Sequence, residues 1–140
     1  MGFDLNALKK PRLNGVKKYT KNGSYTVAYS KLRRERDLYY QNNGVSWRNI
    51  LEELVPLIEK DLSSSKIAEW NTISGLYYND GIKYDRAIAN LMAERLEVIV
   101  KNSALASAVG NPKYNHVLAN REELKRFIKF AKNSGGFQVN

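Results

Sequence analysis

The stretch VSWRNILEELVPLIEKDL, residues 45–62, decides how the fold is read. Trp47, Ile50, Leu51, Leu54, Val55, Ile58 and Leu62 recur at helical spacing and make one broad apolar stripe. Ser46 is a good N-cap, with Val45 and Ile50 at the two positions of a hydrophobic staple. Pro56 is the misfit. It lacks an N–H and crowds the carbonyl of Glu52, so a kink is expected there.

Toward the C-terminus the same period returns three times. Residues 65–78 predict a helix buried through Ile67, Trp70, Ile73 and Tyr77, and entered through Ser63-Ser64-Ser65. Residues 83–109 predict the longest helix, with Ile88, Leu91, Met92, Leu96, Ile99 and Leu105 in its apolar content. Residues 120–133 predict the last, opened by capping-box spacing between Asn120 and Glu123 and ended by Gly135-Gly136. Asn79-Asp80-Gly81 and Gly110-Asn111-Pro112 supply the breaks. Short turns between helices predict an all-α fold, with residues 45–140 forming a four-helix bundle.

Toward the N-terminus the pattern changes. Residues 1–44 read as an extended, partly helical basic arm. Phe3, Leu5 and Leu8 suit one short helical turn that Pro11 ends. Asn14-Gly15 and Asn22-Gly23 are turn signals around the run 16–21, which also suits a hairpin. Residues 24–41 read as a helix capped by Ser24, faced by Tyr25, Ala28, Tyr29, Leu32 and Tyr39, and stopped by Asn42-Asn43-Gly44.

Charge separates the two parts. The first forty residues hold ten Lys/Arg against Asp4, Glu35 and Asp37, which is +7 of the formal net charge of +9. A basic, tyrosine-rich segment attached to a nearly neutral body favours a polyanionic partner. The residues expected to bind nucleic acid are Lys9, Lys10, Arg12, Lys17, Lys18, Tyr19, Lys21, Tyr25, Tyr29, Lys31, Arg33, Arg34 and Arg36. Lysine and arginine neutralise phosphates, while tyrosine adds hydroxyl contacts or stacking. No zinc-finger or other base-reading motif is present, so binding without sequence preference is expected.

Chemistry is harder to assemble. The chain has no cysteine and one histidine, His116, so the usual nitrogen and sulfur metal sites cannot form. There is no Gly-x-Ser-x-Gly elbow and no glycine-rich phosphate loop. The expectation is a protein that is not an enzyme and takes no cofactor or metal. Met1-Gly2-Phe3-Asp4 resembles no secretory signal, and Asn6 breaks the myristoylation pattern.

With Lys9-Lys10, Lys17-Lys18 and Arg33-Arg34 in a basic arm, followed by a helical body from Val45 to Asn133, the chain resembles the major coat proteins of filamentous viruses of hyperthermophilic archaea, the lipothrixviruses and rudiviruses. The resemblance rests on length, layout and sequence character. It implies a four-helix-bundle virion protein whose arm wraps double-stranded DNA held in A-form. It further implies a second, related coat protein as heterodimer partner, neighbouring subunits in a helical filament, and envelope lipid at the outer surface. The implied location is the virion, after synthesis in the host cytoplasm. Two other readings follow from the residues alone: a regulatory protein reading a DNA groove with helix 24–41, and an arm that binds anionic membrane.

Overall fold

Phe3-Asp4-Leu5-Asn6-Ala7 alternates apolar and polar residues, and it folds as a strand, not as a turn of helix. The structure, a computed structural model, describes residues 2–10, 12–63, 75–108, 110 and 119–140. In chain order the elements are β1 (Gly2–Ala7), α1 (Val27–Glu35), β2 (Tyr39–Asn43), α2 (Gly44–Ser63), β3 (Lys83–Asp85), α3 (Arg86–Ala108), α4 (Arg121–Ser134) and β4 (Gly136–Val139). The expected all-α four-helix bundle is therefore corrected. The described residues form a mixed α/β fold of four helices and a four-stranded antiparallel sheet, in the order β2-β1-β4-β3.

The strands are three to six residues long and pair across large sequence separations. β1 lies between β2 and β4, with Leu5 opposite Tyr40 on one side and Val139 on the other. It is an inner strand, so residues 2–7 of the expected arm are integral to the sheet. β3 completes the sheet by pairing Tyr84 with Phe137.

The expected helix 24–41 shrinks to α1, because Asp37 stops it. Asp37 takes a left-handed conformation at φ 53°, which Asp tolerates better than most residues. The Leu38 amide then donates to Arg33 O at 2.8 Å and the Asp37 amide to Arg34 O at 3.2 Å. These two bonds satisfy the last carbonyls of the helix in a Schellman motif. The N-cap is Thr26, whose hydroxyl accepts from the Tyr29 amide at 3.1 Å. Tyr39 and Tyr40 consequently sit on adjacent positions of a strand and face opposite sides of the sheet.

Three predicted helices are close to the observed ones. α2 carries the expected stripe, with Trp47, Ile50, Leu51, Leu54 and Ile58 buried, and continues through Pro56. In α3 the buried face is Ile88, Ala89, Met92, Ala93, Leu96 and Val100, and α4 buries Leu124, Phe127, Ile128 and Ala131. The helix expected over 65–78 lies mostly outside the described residues, as do Asn111, Pro112 and His116. Of that expected helix, residues 75–77 form a turn, and Leu76 is buried with its carbonyl accepting from Trp47 Nε1 at 2.7 Å.

The helices α2, α3 and α4 cover one face of the sheet. Tyr40, Trp47, Phe127, Phe130 and Phe137 meet there as an aromatic cluster with ring centroids 5.4–6.1 Å apart. Such ring pairs contribute about 0.5–1.5 kcal/mol each beyond area burial. Gly135 and Gly136 turn the chain directly from α4 into β4 at φ 66° and 103°. A Cβ on Gly136 would stand 2.6 Å from Tyr84 O, so only glycine fits that crossing. The other face of the sheet presents Asp4, Asn6, Tyr39 and Gln138, and the basic segment is laid over this polar face.

Candidate nucleic-acid interface

Asn22-Gly23 closes a short hairpin between β1 and α1. The Gly23 amide donates to Thr20 O at 3.0 Å, the Thr20 amide to Ser24 O at 2.7 Å and the Thr26 amide to Lys18 O at 3.0 Å. Gly23 takes φ 80°, the left-handed position that such a loop needs. Thr26 also donates its hydroxyl to Lys17 O, joining the hairpin to the start of α1. The hairpin brings Tyr19 opposite Tyr25, and their rings stack at 5.6 Å. Tyr29, in the first turn of α1, places its ring 4.9 Å from that of Tyr25.

This row of tyrosines holds cations. Lys18 Nζ lies 5.2 Å from the Tyr19 ring centre and 5.6 Å from that of Tyr29. The Arg33 guanidinium lies 5.0 Å from Tyr25, 5.9 Å from Tyr29 and 5.1 Å from Tyr39. Arg34 reaches 5.9 Å from Tyr39. Arg33 is only 8% exposed and donates to Asn6 Oδ1 on the polar face of the sheet. Among the described residues, no carboxylate forms an ion pair with Lys9, Lys10, Lys18, Arg33 or Arg34.

The local electrostatics favour the ordinary charge states of Lys18 and Tyr39. The Lys18 pKa is raised, first by the Tyr19 hydroxyl and then by Tyr29, so it stays cationic through neutral pH. Tyr39 is pushed up to about 12, first by burial and then by the bond it donates to Asp4 Oδ1 at 2.6 Å. It therefore remains a neutral donor, and Asp4 is engaged by it.

Two adjoining depressions collect most of the expected site. The larger, about 620 Å³, lies between the polar face of the sheet, the hairpin and α1. Lys9, Lys10, Lys18, Tyr25, Tyr29, Arg33 and Arg34 line it, together with Asp4, Asn6, Tyr39 and Gln138. The smaller, about 350 Å³, shares Lys9 and Lys10 and adds Arg12 and Arg36. Arg36 donates to Arg12 O at 3.1 Å, which fixes the second group. Tyr19 stacks on the wall of the larger depression without lining it.

Three expected residues stand apart. Lys17 and Lys21 are exposed on the hairpin and line neither depression. Lys31 pairs with Glu35 at 3.8 Å. Sequence reasoning missed Asn6, Tyr39 and Gln138, which floor the cavity. The polar positions in the alternation from Phe3 to Ala7 were the available signal for Asn6. Among the described residues, no group of His, Cys, Asp or Glu is arranged to hold a metal, and no helix is long and apolar enough to cross a membrane. Comparison with family models, with curated proteins and with solved structures found no match to this chain.

Proposed function

We propose that the chain binds the phosphate backbone of nucleic acid, without sequence preference, through the hairpin, α1 and Lys9-Lys10-Arg12. The observation that carries this reading is the way the cations are held. Tyrosine rings position Lys18 and Arg34 without cancelling their charge, and rings with a neutral amide hold the buried Arg33 behind them, where its field adds to theirs. A cation kept in place but unneutralised is what a phosphate contact requires, and each contact releases counterions from the polymer.

Double-stranded DNA is the proposed partner, and packaging it in a virion filament is the stronger form of the same proposal. That form draws on the resemblance to coat proteins, whose four-helix bundle this chain does not share. Reading of bases by a helix at 24–41 has less support, since α1 has nine residues and turns Tyr29 and Arg33 inward.

The test is a titration of random-sequence duplex against the full chain at several salt concentrations. The reading predicts a logarithmic slope of about −0.9 for each phosphate contacted and equal affinity for unrelated sequences. Salt-independent binding, or no binding at low salt, would sink it. Filaments formed on duplex DNA test the packaging form. Deleting residues 1–40 is not an informative control, because it removes the inner strand β1.

A further inference from the structure

The larger depression is more than a patch of positive surface. Arg33 is buried in it, and its hydrogen-bond partner among the described residues is the neutral Asn6. Burying a cation is costly unless an opposite charge compensates it, and tyrosine rings replace only part of its lost hydration. Lys9, Lys10, Lys18 and Arg34 line the same cavity, and the one side-chain carboxylate in its lining, Asp4, accepts from the neutral Tyr39 hydroxyl. Five cationic side chains therefore face one carboxylate in this lining, a surplus large enough for more than one negative unit.

Its size narrows the ligand. About 620 Å³ falls within the range of pockets that enclose a small organic molecule. A base-paired duplex is too broad to enter and can meet only the rim. A backbone phosphodiester carries a single negative charge, whereas a phosphomonoester carries about −1.5 to −2 at neutral pH. We infer that the cavity between the polar face of the sheet, the hairpin and α1 is a subsite for a phosphomonoester borne on a nucleoside. Its two sources are a phosphorylated strand end and a free mononucleotide. The strand-end source rests on the nucleic-acid reading above, and the mononucleotide source does not.

The experiment uses the full chain and three short single strands of identical sequence. One carries a 5′-phosphate, one a 3′-phosphate and one neither, each at constant ionic strength. Adenosine monophosphate is added as competitor, and is also titrated alone by calorimetry. A phosphate at one end is expected to raise affinity by about tenfold or more, through charge-assisted hydrogen bonds, and the monophosphate to compete.

Lys18→Met, on the hairpin wall of the cavity, is expected to remove most of that advantage while the melting temperature stays put. It keeps the test available if an Arg33 variant does not fold. Equal affinity of the three strands with no competition overturns the subsite and leaves backbone binding intact. Binding of the monophosphate without binding of any strand upholds the subsite and overturns the nucleic-acid reading. No binding by either overturns both.

Discussion

Two regions of this molecule are basic in sequence, and they treat their charges in opposite ways. On α4, Arg126 lies 4.5 Å from the Tyr40 ring centre but also meets Glu123 at 2.8 Å, Lys129 meets Asp37 at 3.3 Å and Lys132 pairs with Glu97. On the hairpin and α1, Lys18, Arg33 and Arg34 lie over tyrosine rings. The carboxylates of the first region orient the cations and cancel them. The rings of the second orient the cations and leave their field outside the molecule. Counting lysine and arginine cannot separate these regions; whether a carboxylate pairs with each of these cations can.

The strongest test of the contrast changes net charge equally in both regions. Lys9, Lys10 and Lys18 converted together to Gln are expected to weaken duplex binding by about a hundredfold at 0.1 M salt. The salt slope should flatten by about 2.7, from three lost contacts. Arg126, Lys129 and Lys132 converted together to Gln are expected to change affinity by less than about threefold. Equal losses in the two triple variants would show that net charge alone matters, and the comparison would break.

A smaller change turns one region into the other. Ser30 lines the cavity one helical turn before Arg34. Ser30→Glu puts a carboxylate at i to the arginine at i+4, the favourable order on a helix. Stability is expected to stay level or rise by about 0.3–0.5 kcal/mol, while duplex affinity falls by about tenfold. A more stable protein that binds less well separates charge cancellation from damage to the fold. Unchanged affinity in thermal-shift and binding assays run side by side would count against the mechanism.

The rings themselves come next. Tyr25 is 45% exposed, and the Arg33 guanidinium lies 5.0 Å from its centre. Tyr25→Phe keeps that contact and is expected to bind as the parent does. Tyr25→Leu removes a cation–π interaction of about 0.5–1 kcal/mol, and affinity should drop about threefold. If Phe and Leu lose equally, the hydroxyl and not the ring is the functional group.

The legible parts of the molecule were those in which local pattern and tertiary role coincide. The stripe from Trp47 to Ile58 faces the core as its spacing says, and so does Leu124 to Ala131. The hairpin at Asn22-Gly23 also follows from local turn chemistry. The sheet was not legible, because each of its strands is short and finds its partners far along the chain. Leu5 pairs with Tyr40 and Val139, and no window of sequence contains all three. Phe3, Leu5 and Leu8 fit a helical turn as well as Phe3 and Leu5 fit a strand. The stop of α1 was hidden because Asp37, and not glycine, takes the left-handed position. With that stop missed, Tyr39 and Tyr40 stayed on one helix. The cavity floor of Asn6, Tyr39 and Gln138 exists only once the sheet does.

The smallest expected effect is at the one described ion pair that joins the two regions. Asp37, at the end of α1, meets Lys129 of α4 at 3.3 Å. Asp37→Asn retains a residue suited to the left-handed conformation, so it removes the pair with little backbone strain. Lys129→Ala removes the same pair from the other side. As an exposed interaction it should contribute under about 1 kcal/mol, and a double-mutant cycle should find the two costs overlapping. The effects on binding should nevertheless differ in sign. Asp37→Asn takes a negative charge from beside the tyrosine-held cations, and duplex affinity should rise about twofold. Lys129→Ala leaves that charge unbalanced, and affinity should fall by a similar factor. Two variants matched in stability and opposed in affinity would locate the functional field at α1. Shifts of the same sign would assign the pair a structural role alone.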